Sequence, residues 1–139
     1  MKVLRTSRCT LRFCTTQKVG TLRRVLREYG KVVNLFIGCF WGLETLLTNK
    51  DLLKPVVDIP WRLTWLSARL RQTAAREALA MVARARRSGQ PMPIHRGRCM
   101  RVAASVVNLT TPRYAAGFDA WLLLRSIGSR VTLDLPIRF

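Results

Sequence analysis

The sequence predicts an α+β fold, a small β-barrel or sheet that carries a helical insertion. Three observations predict it. An alternating segment opens the chain, two long stretches with apolar residues spaced by three and four follow, and three short alternating segments close it.

Residues 2–14 form the first segment. Val3, Cys9, Leu11 and Phe13 share one parity, and Lys2, Arg8 and Arg12 share the other. Such a strand would bury one face and present cations on the other. Thr15 and Thr16 then supply an N-cap for a long helix. Its apolar residues Val19, Leu22, Leu26, Tyr29, Val33, Phe36 and Phe40 make one core-facing stripe. Arg23, Arg27, Lys31 and Asn34 form a neighbouring polar stripe. Gly20, Gly30, Gly38 and Gly42 would each cost about 1 kcal/mol inside a helix. Their presence suggests close approach of another backbone, or a bend near the helix end. Tyr29, Phe40 and Trp41 are expected in the core rather than as base-stacking platforms.

Residues 48–63 read as a connection with a short helical piece, limited by Pro55 and Pro60. Thr64 is expected to cap a second helix at 65–88, with Leu66, Leu70, Ala74, Ala78, Met81 and Ala85 buried. Arg69, Arg76, Arg84 and Arg87 lie elsewhere on it, and Arg71 and Arg86 add charge. Only Glu77 offsets them, so ion pairing along the helix does not explain the run, and phosphate contact does. The segment SGQPMPIHRGR, residues 88–98, is a loop: Gly89 ends the helix, and Pro91 and Pro93 prevent its resumption. Strands are expected near 99–109, 118–126 and 129–137. In the second, Phe118, Trp121 and Leu122 to Leu124 suggest burial on both faces. Ile127-Gly128-Ser129 between the last two is a short hairpin signal.

The charge narrows the function. Lys and Arg number 25 and Asp and Glu 7, for a formal net charge of +18 on 139 residues. Self-repulsion opposes that excess in a compact state, and a polyanion would relieve it. Most of the cations are arginine, whose planar fork grips phosphate bidentately and stacks on bases. Nucleic acid, and RNA in particular, is the expected partner. A membrane is not. The most apolar stretch, Val32 to Leu47, is interrupted by Asn34 and Glu44 and falls short of the roughly 18 to 20 residues that span a bilayer. The opening MKVLRTSRC has no apolar h-region, so a cytoplasmic, nucleoid-associated location is expected.

Catalytic chemistry is not evident. Cys9, Cys14, Cys39 and Cys99 lack CxxC spacing, so buried reduced thiols are expected rather than zinc ligands. The single histidine, His95, has no sequence neighbour among the acids to orient it as a base and is expected to meet phosphate or solvent. The acids are scattered, phosphate-binding glycine motifs are absent, and no enzyme, metal or other cofactor is expected.

The opening RCTLRFCTTQK, followed by a helix containing VVNLFI, resembles the start of TnpB-type proteins, transposon-encoded RNA-guided nucleases related to type V CRISPR effectors. LSARLRQTAAREALAMVARARR looks like their second recognition helix, and FDAWLLLRSIGSRVTLDLPI resembles the strands that return to their wedge domain. The resemblance runs in order over nearly the whole chain. It implies an oligonucleotide-binding-like β-barrel, the wedge, from residues 1–16 and 97–139, with a helical recognition domain inserted at 17–96. It also implies a wedge that grips a structured guide RNA through Arg5, Arg8, Arg12, Lys18, Arg96, Arg98 and Arg101. The guide–target heteroduplex or target DNA would meet Arg23, Arg27, Lys31, Asn34, Arg69, Arg76, Arg84 and Arg87. Recognition in that family is by shape and charge, with sequence left to base pairing. The sequence departs from the family pattern in ending at LDLPIRF, where a RuvC nuclease domain would follow. A separate RuvC-bearing subunit, a binding-only relative and a fragment are the three readings of that departure. Two other functions fit the charge: a basic structural RNA-binding protein of ribonucleoprotein assembly, and a small regulator that competes for a guide or target.

Overall fold

The longest element begins where the sequence supplies a cap. In the computed structural model, which describes residues 6–45, 48, 63–114 and 117–139, Thr15 is the N-cap of helix α1, Thr16–Trp41, and its side chain accepts from the Lys18 amide at 3.2 Å. Tyr29, Val33, Phe36 and Phe40 of the expected stripe are buried, and Val25, Val32 and Ile37 join them. Val19, Leu22 and Leu26 are only half-buried. Phe36 and Phe40 stack on each other inside the protein's own core.

The second helix, α2, spans Ala68–Arg87 and starts later than expected. Its cap is Ser67, whose hydroxyl accepts from the Leu70 amide at 3.4 Å. Thr64 is occupied otherwise: it donates to Glu28 Oε1 at 2.8 Å and accepts from the Leu66 amide at 3.2 Å. Ala74, Ala75 and Ala78 are fully buried, which lets α2 lie close against α1.

Three short strands follow: β1, Val107–Thr110; β2, Ala120–Leu124; β3, Leu133–Ile137. They form one antiparallel sheet in the order β1-β2-β3, with Val107 opposite Leu124 and Ala120 opposite Ile137. Each strand is shorter than its alternating segment. Val106 N bonds Ala103 O at 2.9 Å in a turn that delays β1. In β2 only Ala120 and Leu124 are buried, so its apolar run does not reflect burial on both faces. Pro136 lies opposite Trp121 in β3, where an edge strand tolerates the missing amide. The link from β2 to β3 is not a tight hairpin. Ile127 at its centre is fully buried, and its carbonyl accepts from the Ser67 amide at 2.7 Å, which ties the link to the start of α2.

The opening segment is not a strand over its described residues. Only Thr10 pairs, in an isolated antiparallel bridge to Arg138, with N–H···O distances of 2.8 and 3.2 Å. Beyond it the Cys14 amide bonds Leu11 O at 2.9 Å and turns the chain into the cap of α1. Alternation alone did not provide a partner strand. The expected helical piece within 48–63 lies largely outside the described residues.

The described residues thus give an α+β fold of two helices and an open three-stranded sheet. One apolar cluster joins Val25, Phe36 and Leu70 of the helical part to Leu124, Leu135 and Ile137 of the sheet and to Val106 just before it.

Candidate nucleic-acid interface

The loop after α2 returns across α1 at a glycine. A Cβ on Gly30 would lie 2.6 Å from Gly97 Cα and 2.9 Å from Gly97 N, so only glycine admits the loop. Gly97 itself has φ +68, and a Cβ there would sit 3.4 Å from Arg27 Cα. Asn34 fixes the crossing from one side: its Nδ2 donates to His95 O at 2.9 Å, and its Oδ1 accepts from the His95 amide at 2.8 Å. Asn34 thus packs and binds backbone.

This crossing positions cations. Arg96 and Arg98 flank Gly97 and come to rest beside Arg23 and Arg27 of α1, and together they line a recess of about 360 Å³. All four are exposed. Among the described residues none of them is paired with a carboxylate. Residues assigned separately to wedge and recognition parts are therefore neighbours.

The other candidates are distributed. Arg8 and Arg12 are exposed and share a second recess, about 520 Å³, with Arg138, brought there by the Thr10 bridge. Arg138 was not anticipated; a contact between the two ends of the chain has no local signal. Arg76 and Arg101 line a third with Glu77. Arg69, Arg84 and Arg87 are exposed on α2. Lys31 donates to Leu63 O at 3.0 Å and lies 3.6 Å from Glu28. Lys18 is half-buried, with its ammonium 4.7 Å from the Trp121 ring centre. Arg5 lies outside the described residues. Two further arginines of α2 have structural work: Arg71 donates to Leu66 O at 2.7 Å, and Arg86 reaches carbonyls at the end of α1, including Trp41 O at 2.6 Å.

Beneath the crossing lies a polar group that the sequence reading missed. His95 is buried, 7% exposed, rather than facing phosphate or solvent. It also has an acid partner after all: Glu77 Oε1 is 3.5 Å from Nε2. Glu77 in turn accepts from the Tyr29 hydroxyl, and the Tyr29 ring meets the His95 ring edge-on at 5.7 Å. Burial first, and then the bond to Glu77, raise the Tyr29 pKa above the ordinary tyrosine range. The cysteines also differ from expectation. Cys9, Cys39 and Cys99 are exposed and Cys14 is half-buried, with its thiol pKa raised by burial.

Glu77, His95 and Cys99 bring donor atoms within 4.8 Å of one another. The hydrogen bonds argue against a metal centre. The Gly97 amide donates to His95 Nδ1 at 3.0 Å, so the neutral ring carries its proton on Nε2, toward Glu77. A cation at Nε2 would need that lone pair and would move the proton to Nδ1, against the Gly97 N–H. The group acts as a strut that holds the Arg96–Arg98 turn on α1. Among the described residues no helix is long and apolar enough to cross a membrane. No family model, curated protein or solved structure matches the chain.

Proposed function

We propose that this chain is a non-catalytic nucleic-acid-binding module of an RNA-guided DNA-targeting complex. In this reading the sheet end is the wedge, an oligonucleotide-binding-like fold, and α1 and α2 are the inserted recognition helices. The observation that carries the reading is the arginine quartet Arg23, Arg27, Arg96 and Arg98, held around one recess without carboxylate partners. Four guanidiniums forced together repel one another and are stabilised by phosphates between them. The turn that carries Arg96 and Arg98 lies close against α1, where a Cβ on Gly30 would meet the Gly97 backbone. Guanidinium forks gathered at one recess suit a backbone that presents its phosphates at close spacing, which is how a heteroduplex or an RNA scaffold is recognised.

Arg8, Arg12, Lys18 and Arg101 extend the RNA-facing set, and Arg69, Arg76, Arg84 and Arg87 extend the set facing the heteroduplex. The deciding experiment expresses the tagged chain with its native flanking DNA, sequences the bound RNA and identifies the bound protein. One abundant structured RNA is the expected result. A smear of ribosomal or random RNA would replace this reading with a general basic RNA-binding protein.

A further inference from the structure

On the sheet, in a recess that shares no lining residue with that of the arginine quartet, a second kind of surface is built from rings. Thr110, Thr111, Pro112, Arg113, Tyr114, Phe118 and Trp121 line a recess of about 580 Å³. That volume falls within the roughly 300–1,000 Å³ range of small-ligand sites. Trp121 is held in place: Phe118 meets it edge-on, with centroids 4.8 Å apart and planes at 74°. Lys18, from the first turn of α1, places its ammonium 4.7 Å from the same ring. Tyr114 stands 85% exposed, an unusual state for a ring that its own fold does not use. Arg113 is exposed beside it, and among the described residues no acid lines the recess.

Aromatic walls with threonine hydroxyls and a cationic rim suit a planar, polar-edged ring system carried on a polyanion. We propose that this recess takes an unpaired nucleobase of a single-stranded RNA segment. The base stacks on Tyr114 or Trp121, and the flanking phosphates lie toward Arg113 and Lys18. The proposal rests on the nucleic-acid reading above and adds a site that reads single strands, where the arginine quartet reads backbone charge.

The test separates base from phosphate. Fluorescence anisotropy of the full chain would compare a labelled ten-nucleotide oligouridine, an abasic strand of the same length and charge, and a blunt RNA duplex. The expected result is about tenfold tighter binding of oligouridine than of the abasic strand. Tyr114→Ala should remove most of that preference and leave abasic and duplex affinities unchanged. Tyr114 is so exposed that the variant should fold, and circular dichroism checks this; Trp121→Leu is the second variant. Equal affinity for oligouridine and the abasic strand would overturn the proposal and leave the recess to an apolar partner. So would an equal loss on all three probes in Tyr114→Ala. The wider reading fails by a different signature, which is that none of the three probes binds at low salt.

Discussion

A single methyl group separates two outcomes at position 30. Gly30→Ala places a methyl group 2.6 Å from Gly97 Cα, backbone that cannot swing aside as a side chain would. Overpacking of this kind costs about 1–3 kcal/mol, set against about 1 kcal/mol of improved helix propensity. The expected result is a lower urea midpoint together with weaker RNA binding, because Arg96 and Arg98 ride on the displaced turn. Gly20→Ala is the control: nothing lies within 4 Å of a Cβ there, and its midpoint should rise. An unchanged or higher midpoint for Gly30→Ala would refute the tight crossing. Tyr29 makes a pH prediction. Its pKa is raised in the folded state, so the folded chain keeps the phenol proton that the unfolded chain releases near about pH 10. Its stabilisation is complete below that pH and is lost as pH rises beyond it. Urea midpoints should fall across that range, and Tyr29→Phe should fall less steeply while being weaker at neutral pH. Equal slopes would exclude Tyr29 as the source. Neither effect has its partners in local sequence. Gly30 was legible as a close approach, but Glu77 and His95 meet only because α2 and its following loop pack on α1.

At the scale of elements, α1 was legible because its pattern is complete: a threonine cap and apolar steps of three and four to Phe40. The start of α2 was not, since Thr64 and Ser67 are both good caps and a tertiary bond to Glu28 takes Thr64. The opening strand was misread for a related reason: alternation signals a face, while a strand also needs a neighbour, and only Thr10 finds one. The end of α1 carries an interaction between elements. Its last turn has no basic residue of its own. Arg86 of α2 supplies one, donating to Phe40 O at 3.4 Å, Trp41 O at 2.6 Å and also to Leu43 O. Arg86→Ala should cost about 1.5–3 kcal/mol, the range for charged hydrogen bonds. Arg86→Lys should fall between, since it keeps the charge and loses the fork. Hydrogen exchange near Phe40 should quicken in the alanine variant before exchange elsewhere does; uniform quickening would mean that Arg86 does not act as the cap.

For the whole molecule, the excess of cations gives stability and binding opposite responses to salt. With a net charge of +18, and arginines such as Arg23, Arg27, Arg96 and Arg98 gathered without carboxylate partners among the described residues, repulsion in the free protein exceeds the attraction of the ion pairs described. The Arg125–Asp134 pair, at 2.6 Å, is half-exposed and contributes little. Salt screens repulsion more than it weakens such pairs, so the free chain should melt at a higher temperature as salt rises from about 20 to 200 mM. Nucleic-acid affinity should move the other way, falling about 10³-fold or more between 50 and 200 mM if at least six phosphates are contacted. Replacing the four quartet arginines with glutamine should flatten both responses at once, raising the low-salt melting temperature while shallowing the salt slope of binding. That double change is the decisive measurement, because a quartet with a purely structural role would lower the melting temperature when removed and leave the slope of binding as it was.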